Sequence, residues 1–237
     1  MPETTWRLRA YLGATDQARL KIAAVLFDCD GVLADSEGLA NAIVAEELTA
    51  LGWALNAHDA QCEFLGLSLP DMRARIEARI GRLPAGWEAS LSLRIERELA
   101  SGVQPIPGAE AALRCVAAAG LPMAVCSNSG RSELLMKMRV LGFAHFFGDR
   151  IFSYQDVPRP KPAPDLYLAA AMACCVAPAH CLVVEDSGPG IAAGLAAGCE
   201  VVSLVEGLGV PHLRDFATLL SKYHPMEPGG VSGAEAL

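Results

Sequence analysis

The chain has 237 residues, 52% of them hydrophobic, with 19 basic against 27 acidic side chains and a formal net charge of −8. That much apolar material builds a core and excludes a disordered chain, and the length suits one domain, or one domain with a smaller partner. The acidic balance gives no electrostatic ground for a nucleic-acid or anionic-membrane partner, although a local anion site remains open.

Residues 1–20 hold only a weak amphipathic pattern, and the opening MPETTW lacks the basic-then-apolar order of a signal peptide. The eight cysteines form no C-x-x-C pair. They are expected as reduced thiols, which places the protein in the cytoplasm. Residues 22–27 (IAAVLF) form an apolar, β-branched run ended by acids and Gly31, as expected of a strand buried on both faces. Residues 37–101 contain no strong strand candidate. Ala40, Val44, Leu48 and Leu51, then Met72, Ile76, Ile80 and Leu83, then Trp87, Leu91, Ile95 and Leu99 recur at helical spacing, which predicts three or four amphipathic helices inserted after the first strand. Strands are expected at 123–126, 181–184 and 200–204. Helices are expected between them at 109–119, 131–141 and 188–197, closed by Gly120, Gly142 and Gly198.

This alternation predicts an α/β fold, a Rossmann-like parallel sheet core with an inserted α-helical cap. The expected division is core at 21–35 and 103–223, cap at 36–102, an N-terminal extension at 1–20, and a Pro/Gly-rich tail at 224–237 without fixed structure. The most apolar stretch, 166–184, is broken by Pro178 and His180, so no membrane span is expected.

Polar residues that follow a buried parallel strand stand at the sheet's carboxyl edge, where sites form in this architecture. Asp28 and Asp30 leave the first strand together. Two close carboxylates need a cation or a proton between them, although a solvated Asp turn has the same sequence. Ser127-Asn128-Ser129-Gly130 follows the second long strand and opens a helix, either as an anion cradle or as an ordinary N-cap. Arg159-Pro160-Lys161-Pro162-Ala163-Pro164-Asp165 fixes one of only four lysines among three prolines, either as a phosphate contact or as an exposed turn. Glu185-Asp186-Ser187-Gly188 ends the third. Together these offer an oxygen-rich site, which favours Mg²⁺ over zinc.

The order Asp-x-Asp-Gly-Val-Leu, Ser-Asn, Lys-Pro-x-Pro-Asp, Glu-Asp-Ser-x-x-Gly over residues 21–205 resembles the haloacid dehalogenase superfamily. Asp35-Ser36-Glu37 is similar to the branch of β-phosphoglucomutases, phosphoglycolate phosphatases and sugar-phosphate phosphatases. The resemblance implies that Asp28 is the nucleophile, taking the phosphoryl group as an aspartyl-phosphate, and that Asp30 is the general acid and then the base. It implies Mg²⁺ held by Asp28, the Asp30 carbonyl and Asp186, with Glu185 on the metal directly or through water. Ser127, the Asn128 amide and Lys161 would bind the phosphoryl oxygens. Gly66-x-Ser68 resembles the family's substrate-specificity loop, so Gly66, Ser68 and nearby Arg73 are expected to read the substrate.

Asp30 argues against a dehalogenase, whose leaving halide needs no proton. The absence of lysine from 37–101 argues against a phosphonate hydrolase. The function implied is a Mg²⁺-dependent phosphatase of a small phosphorylated metabolite, a sugar or sugar-acid phosphate, acting as monomer or homodimer. The alternative is a phosphomutase of the β-phosphoglucomutase type, weakened by Leu69-Pro70 where that enzyme carries a basic residue.

Overall fold

The computed structural model describes residues 21–219 and the pair 224–225. The expected N-terminal extension and all but the first two residues of the expected tail lie outside the described residues. In chain order the elements are β1 (Lys21–Ile22), β2 (Ala24–Phe27), β3 (Ala34–Asp35), α1 (Glu37–Ala50), α2 (Ala57–Phe64), α3 (Leu69–Ile80), α4 (Trp87–Gly102), β4 (Gln104–Pro105), α5 (Ala109–Ala118), β5 (Met123–Ser127), α6 (Arg131–Val140), α7 (Ala144–Phe147), β6 (Ile151–Ser153), α8 (Asp165–Ala173), β7 (Cys181–Glu185), α9 (Gly188–Ala196), β8 (Glu200–Ser203) and β9 (His224–Pro225).

Five strands form one parallel sheet in the order β6-β5-β2-β7-β8. The first long strand is therefore central, flanked by the two that follow it in sequence among the apolar runs. Every residue of β2, β5 and β7 is buried, which accounts for the apolar runs that lead up to Ser127 and Glu185 at the ends of the latter two. Phe27 pairs with Val125 on one side and Val184 on the other. Continuing that register by one residue sets Asp28 beside Cys126 and Glu185. Three of the four motifs thus meet because their strands are neighbours.

Each face of the sheet packs on its own cluster. Val25, Phe27, Val125 and Val184 point to one, and Ala24, Leu26, Ala124 and Val183 to the other. Cys29 and Cys126 are fully buried packing residues. The edge strand β6 has no counterpart in the sequence reading, because three residues give no periodicity to detect.

Residues 37–102 hold α1 to α4, all helical as expected. Trp87, Leu91, Ile95 and Leu99 are the buried stripe of α4. Only Ile76 is buried on α3, while Leu83 packs beyond its end. The block leaves and rejoins the core through β3 and β4, which pair antiparallel, so its two connections lie side by side. Among the described residues, no helix is long and apolar enough to cross a membrane.

Candidate active site

The carboxyl ends of β2, β5 and β7 form the floor of a cavity of about 500 Å³, and the helical block forms its other wall. Asp28, Asp30, Ser127, Asn128, Lys161 and Asp186 all line it. These six expected residues, drawn from separate motifs, are therefore in one place.

Lys161 is the centre of the floor. It is buried, and its Nζ donates to Asp28 Oδ1 at 2.5 Å, Glu185 Oε1 at 2.6 Å and the Cys126 carbonyl at 2.9 Å. The ring of Tyr167 lies 4.9 Å from the ammonium, and its hydroxyl donates to Glu185 Oε1 at 2.7 Å. Burial opposes the lysine's charge, but Asp28 and Glu185 overcome it and raise its pKa. Lys161 is a fixed cation beside Asp28 rather than an exposed lysine on a proline turn.

Asp28 carries the opposite imbalance. Burial and then the Glu185 charge push its carboxyl up to about 8, against the pull of Lys161. Burial, followed by Asp28 and Glu185, pushes Asp186 up to about 10. Asp28, Glu185 and Asp186 place one oxygen each within 4.8 Å of one another. One lysine does not neutralise three buried carboxylates, so the cluster suits a divalent cation. Gly31 makes the crowding possible. Its φ is +73°, and a Cβ there would lie 1.8 Å from Asp186 Oδ2.

The three carboxylates are not equally available to a cation. Glu185 is fully buried and does not line the cavity. Its Oε1 accepts from Lys161 and Tyr167, and its Oε2 from the N–H groups of Asp186 and Ser187 and the Ser187 hydroxyl. By contrast, no hydrogen bond to the Asp186 carboxylate is formed among the described residues. The Asp30 carbonyl also stays outside the local turn, where Gly31 N–H donates to Ala34 and Leu33 and Ala34 N–H donate to Cys29. Asp28, Asp186 and the Asp30 carbonyl fit the role of direct ligands, and Glu185 that of the residue that orients Lys161.

Asp30 lies in a different field. Its Oδ1 accepts from Lys137 Nζ and the Ser36 hydroxyl, both at 2.5 Å, and its Oδ2 from the hydroxyls of Ser127 at 3.0 Å and Ser129 at 2.9 Å. Burial would raise this carboxyl, but the Lys137 charge and the donated hydrogen bonds outweigh it and hold it down at about 2. In the sequence reading Ser36 and Ser129 stand within motifs but have no role, and Lys137 stands in none.

Asn128 has a second task beyond its amide. Its side chain donates to the carbonyls of Gly66 at 2.8 Å and Lys161 at 3.0 Å, and accepts from Lys161 N–H at 3.0 Å. One side chain thereby ties the loop after β5, the lysine loop and the α2–α3 loop together. Gly66 (φ +73°) sits so close to the core that a Cβ would lie 3.0 Å from Ser187 Oγ.

The rest of the expected specificity loop is placed differently. Ser68 is fully buried and caps α3 through Asp71, and it does not line the cavity. Such a cap contributes about 1 kcal/mol. Arg73 pairs with Glu77 at 3.3 Å and Glu88 at 3.1 Å and is also absent from the lining. Leu67, Leu69 and Met72 take the positions facing the cavity.

The family model of the haloacid dehalogenase-like hydrolases matches residues 22–198. The chain belongs to this family. It is a hydrolase of the phosphatase kind, in keeping with the relatives it matches. It is 34% identical over 183 residues to 6-phosphogluconate phosphatase of Escherichia coli, covering 76% of this chain and 81% of that one. It is 30% identical over 207 residues to hexitol phosphatase A of the same organism, covering 85% and 91%. Among solved structures, a haloacid dehalogenase family hydrolase of Deinococcus radiodurans with bound phosphate and sodium is 35% identical, with a TM-score of 0.62 over 87% of this chain and 92% of that one. CbbY of Rhodobacter sphaeroides with phosphate, 24% identical, shares the fold, with a TM-score of 0.73 over 85% and 98%.

Proposed function

We propose that the protein is a Mg²⁺-dependent phosphatase that hydrolyses a small polyol or sugar phosphate through an aspartyl-phosphate on Asp28. The observation that carries this is the convergence of Asp28, Asp30, Ser127, Lys161 and Asp186 on one cavity floor. An Asp28 oxygen attacks phosphorus, the bond from phosphorus to the leaving oxygen breaks, and Asp30 supplies the proton that this oxygen takes up. Water then attacks the aspartyl-phosphate, Asp30 accepts its proton, and the bond from phosphorus to Asp28 breaks to release inorganic phosphate. Lys161, which exchanges one of its three floor hydrogen bonds for the substrate, binds the phosphoryl oxygens together with Ser127 and the Asn128 N–H. Mg²⁺ bound by Asp28, Asp186 and the Asp30 carbonyl would supply the charge that lets a carboxylate approach a phosphate dianion. With four donors around it, Asp30 is in its base form. An arriving phosphate beside it raises its proton affinity for the first step.

The cavity's remaining charges bear on the leaving group. Of its lining cations, Lys161 is committed to the floor and Arg131 to Asp156 at 2.7 Å. Glu37 and Glu96 also line it, and among the described residues they are partnered only by the neutral Gln61 and Ser132. Carboxylates without a counter-cation accept hydrogen bonds from hydroxyl groups and repel an anion. This favours a neutral polyhydroxy leaving group over a sugar acid. It also disfavours a mutase, which must grip a second phosphate.

Phosphate release from a panel of phosphomonoesters tests both levels. Sorbitol 6-phosphate is expected to exceed 6-phosphogluconate in kcat/KM by about tenfold, the equivalent of one unfavourable charge contact. No release from any ester would overturn the phosphatase reading. Release with the sugar acid preferred would overturn only the choice of leaving group.

A second expectation concerns the cation. Stripped of divalent ions, the folded chain keeps protons on Asp28 and Asp186 up to about 8 and about 10, while the unfolded carboxyls release theirs near 3.8. The folded state then binds more protons than the unfolded one, so melting temperature should fall as pH rises from about 5 to about 8. Mg²⁺ competes with those protons. Its stabilising shift in melting temperature should therefore be larger at the upper end of this range, and Asp186→Asn should remove the difference. An equal shift at both ends in the wild type would refute the ligand assignment.

A further inference from the structure

Lys137 is a site cation that no motif contains. It lies on α6, fully buried, and it does not line the cavity. Its ammonium meets three oxygens: Asp30 Oδ1 at 2.5 Å, Ser129 Oγ at 2.8 Å and Glu133 Oε1 at 2.8 Å. Three donors are thus spent on three acceptors, and unlike Lys161 the ammonium does not face the cavity where a ligand would lie. Two of the acceptors, Asp30 and Ser129, are also bonded to each other through Asp30 Oδ2.

The two Asp30 oxygens consequently differ. Oδ1 faces an ammonium, which can only donate, together with the Ser36 hydroxyl. Oδ2 faces only hydroxyls, those of Ser127 and Ser129, and a hydroxyl can turn from donor to acceptor. An oxygen bonded to an ammonium cannot present a proton to it, whereas one bonded to hydroxyls can carry a proton without losing its partners.

We propose that Lys137 is a positioning residue, which anchors Asp30 by Oδ1 and so fixes Oδ2 as the oxygen that exchanges protons with the leaving group and with water. This rests on the acid and base role assigned to Asp30 above. Glu133, four residues earlier on the same helix, holds the lysine from the other side. A buried ion pair of this kind contributes little net stability compared with apolar packing, so stability alone does not account for a lysine here.

The test is single-turnover phosphorylation by wild type, Lys137→Met, Asp30→Asn and the double variant. The substrates are sorbitol 6-phosphate, a poor leaving group, and p-nitrophenyl phosphate, a good one. Lys137→Met is expected to slow the sorbitol ester by about tenfold or more, part of the 10²–10⁴ that acid catalysis contributes. It should slow the aryl ester by less than about threefold and leave KM within about twofold. In the Asp30→Asn background it should cost nothing further, because there is no proton left to direct.

Equal slowing of both esters, or a loss that adds to that of Asp30→Asn, would overturn the proposal and make Lys137 a structural ion pair. If Asp30→Asn itself showed no bias toward poor leaving groups, the Asp30 assignment would fall and the proposal with it, a signature distinct from the other two. Lys137→Gln, which retains two N–H donors but not the charge, serves in the same comparison if the methionine variant does not fold, with the same leaving-group bias expected.

Discussion

Asp28→Asn is expected to lower steady-state phosphate release by at least about 10⁴-fold, the scale on which loss of a covalent nucleophile is felt. The amide is nearly isosteric, but it is a poor nucleophile and a weak cation ligand. Its effect on folding should be small or favourable. Burial and Glu185 already push the Asp28 carboxyl up to about 8 in the absence of a cation, so removing its charge removes a repulsion. The amide oxygen can still accept from Lys161, which keeps the hydrogen bond that Asp28 Oδ1 makes at 2.5 Å. The melting temperature without divalent ions should therefore equal or exceed that of the wild type. Acid quench during turnover should trap phosphate on the peptide containing Asp28 in the wild type and on none in the variant. Activity retained by Asp28→Asn, or label on another residue, would sink the assignment of the nucleophile.

The parts of this site that the sequence reveals are those for which chain position dictates spatial position. A strand buried on both faces is apolar throughout, so its first acid marks its carboxyl end, as Asp28 does after Phe27 and Glu185 does after Val184. Parallel neighbours then bring those ends together, and the motif residues follow. Lys161 is legible for a different reason: it is one of four lysines and it is held between prolines.

What stayed hidden depends on which way a helical side chain turns. Lys137 sits among Met136, Met138 and Arg139, and its pairing with Glu133 at i,i+4 looks like a solvated helix face. Only the packing of α6 against the sheet turns it inward. Ser68 and Arg73 fail to reach the cavity for the complementary reason. A serine before Leu69-Pro70-Asp71 is an N-cap, and capping α3 spends its hydroxyl on Asp71. Arg73 then lies on the side of α3 that faces Glu77 and Glu88. The short strands β3, β4 and β6, of two or three residues each, were illegible because pairing partners alone make them strands.

Asp30→Asn is expected to produce the second-largest loss, about 10²–10⁴-fold on sugar and polyol phosphates, the range of general acid–base catalysis. Unlike the loss at Asp28, it should depend on the leaving group. A polyol alkoxide is a strong base and cannot depart without a proton, while p-nitrophenolate leaves nearly unaided. The phosphorylation step should therefore slow strongly for sorbitol 6-phosphate and weakly for p-nitrophenyl phosphate. The second half-reaction is common to both esters, because each passes through the same aspartyl-phosphate and needs the same water deprotonated. In the variant, p-nitrophenyl phosphate should consequently give a burst of one p-nitrophenolate per enzyme followed by slow turnover, with phosphate accumulating on Asp28. The wild type should show no burst and only the lower steady-state label that acid quench traps. The local geometry favours this outcome over a general collapse of the site. Asparagine retains one oxygen to accept from Lys137 and Ser36, and its amide can donate to Ser127 and Ser129, whose hydroxyls turn to accept. Equal slowing of the phosphorylation step for both esters, with no burst, would mean that Asp30 holds the site together without transferring the proton.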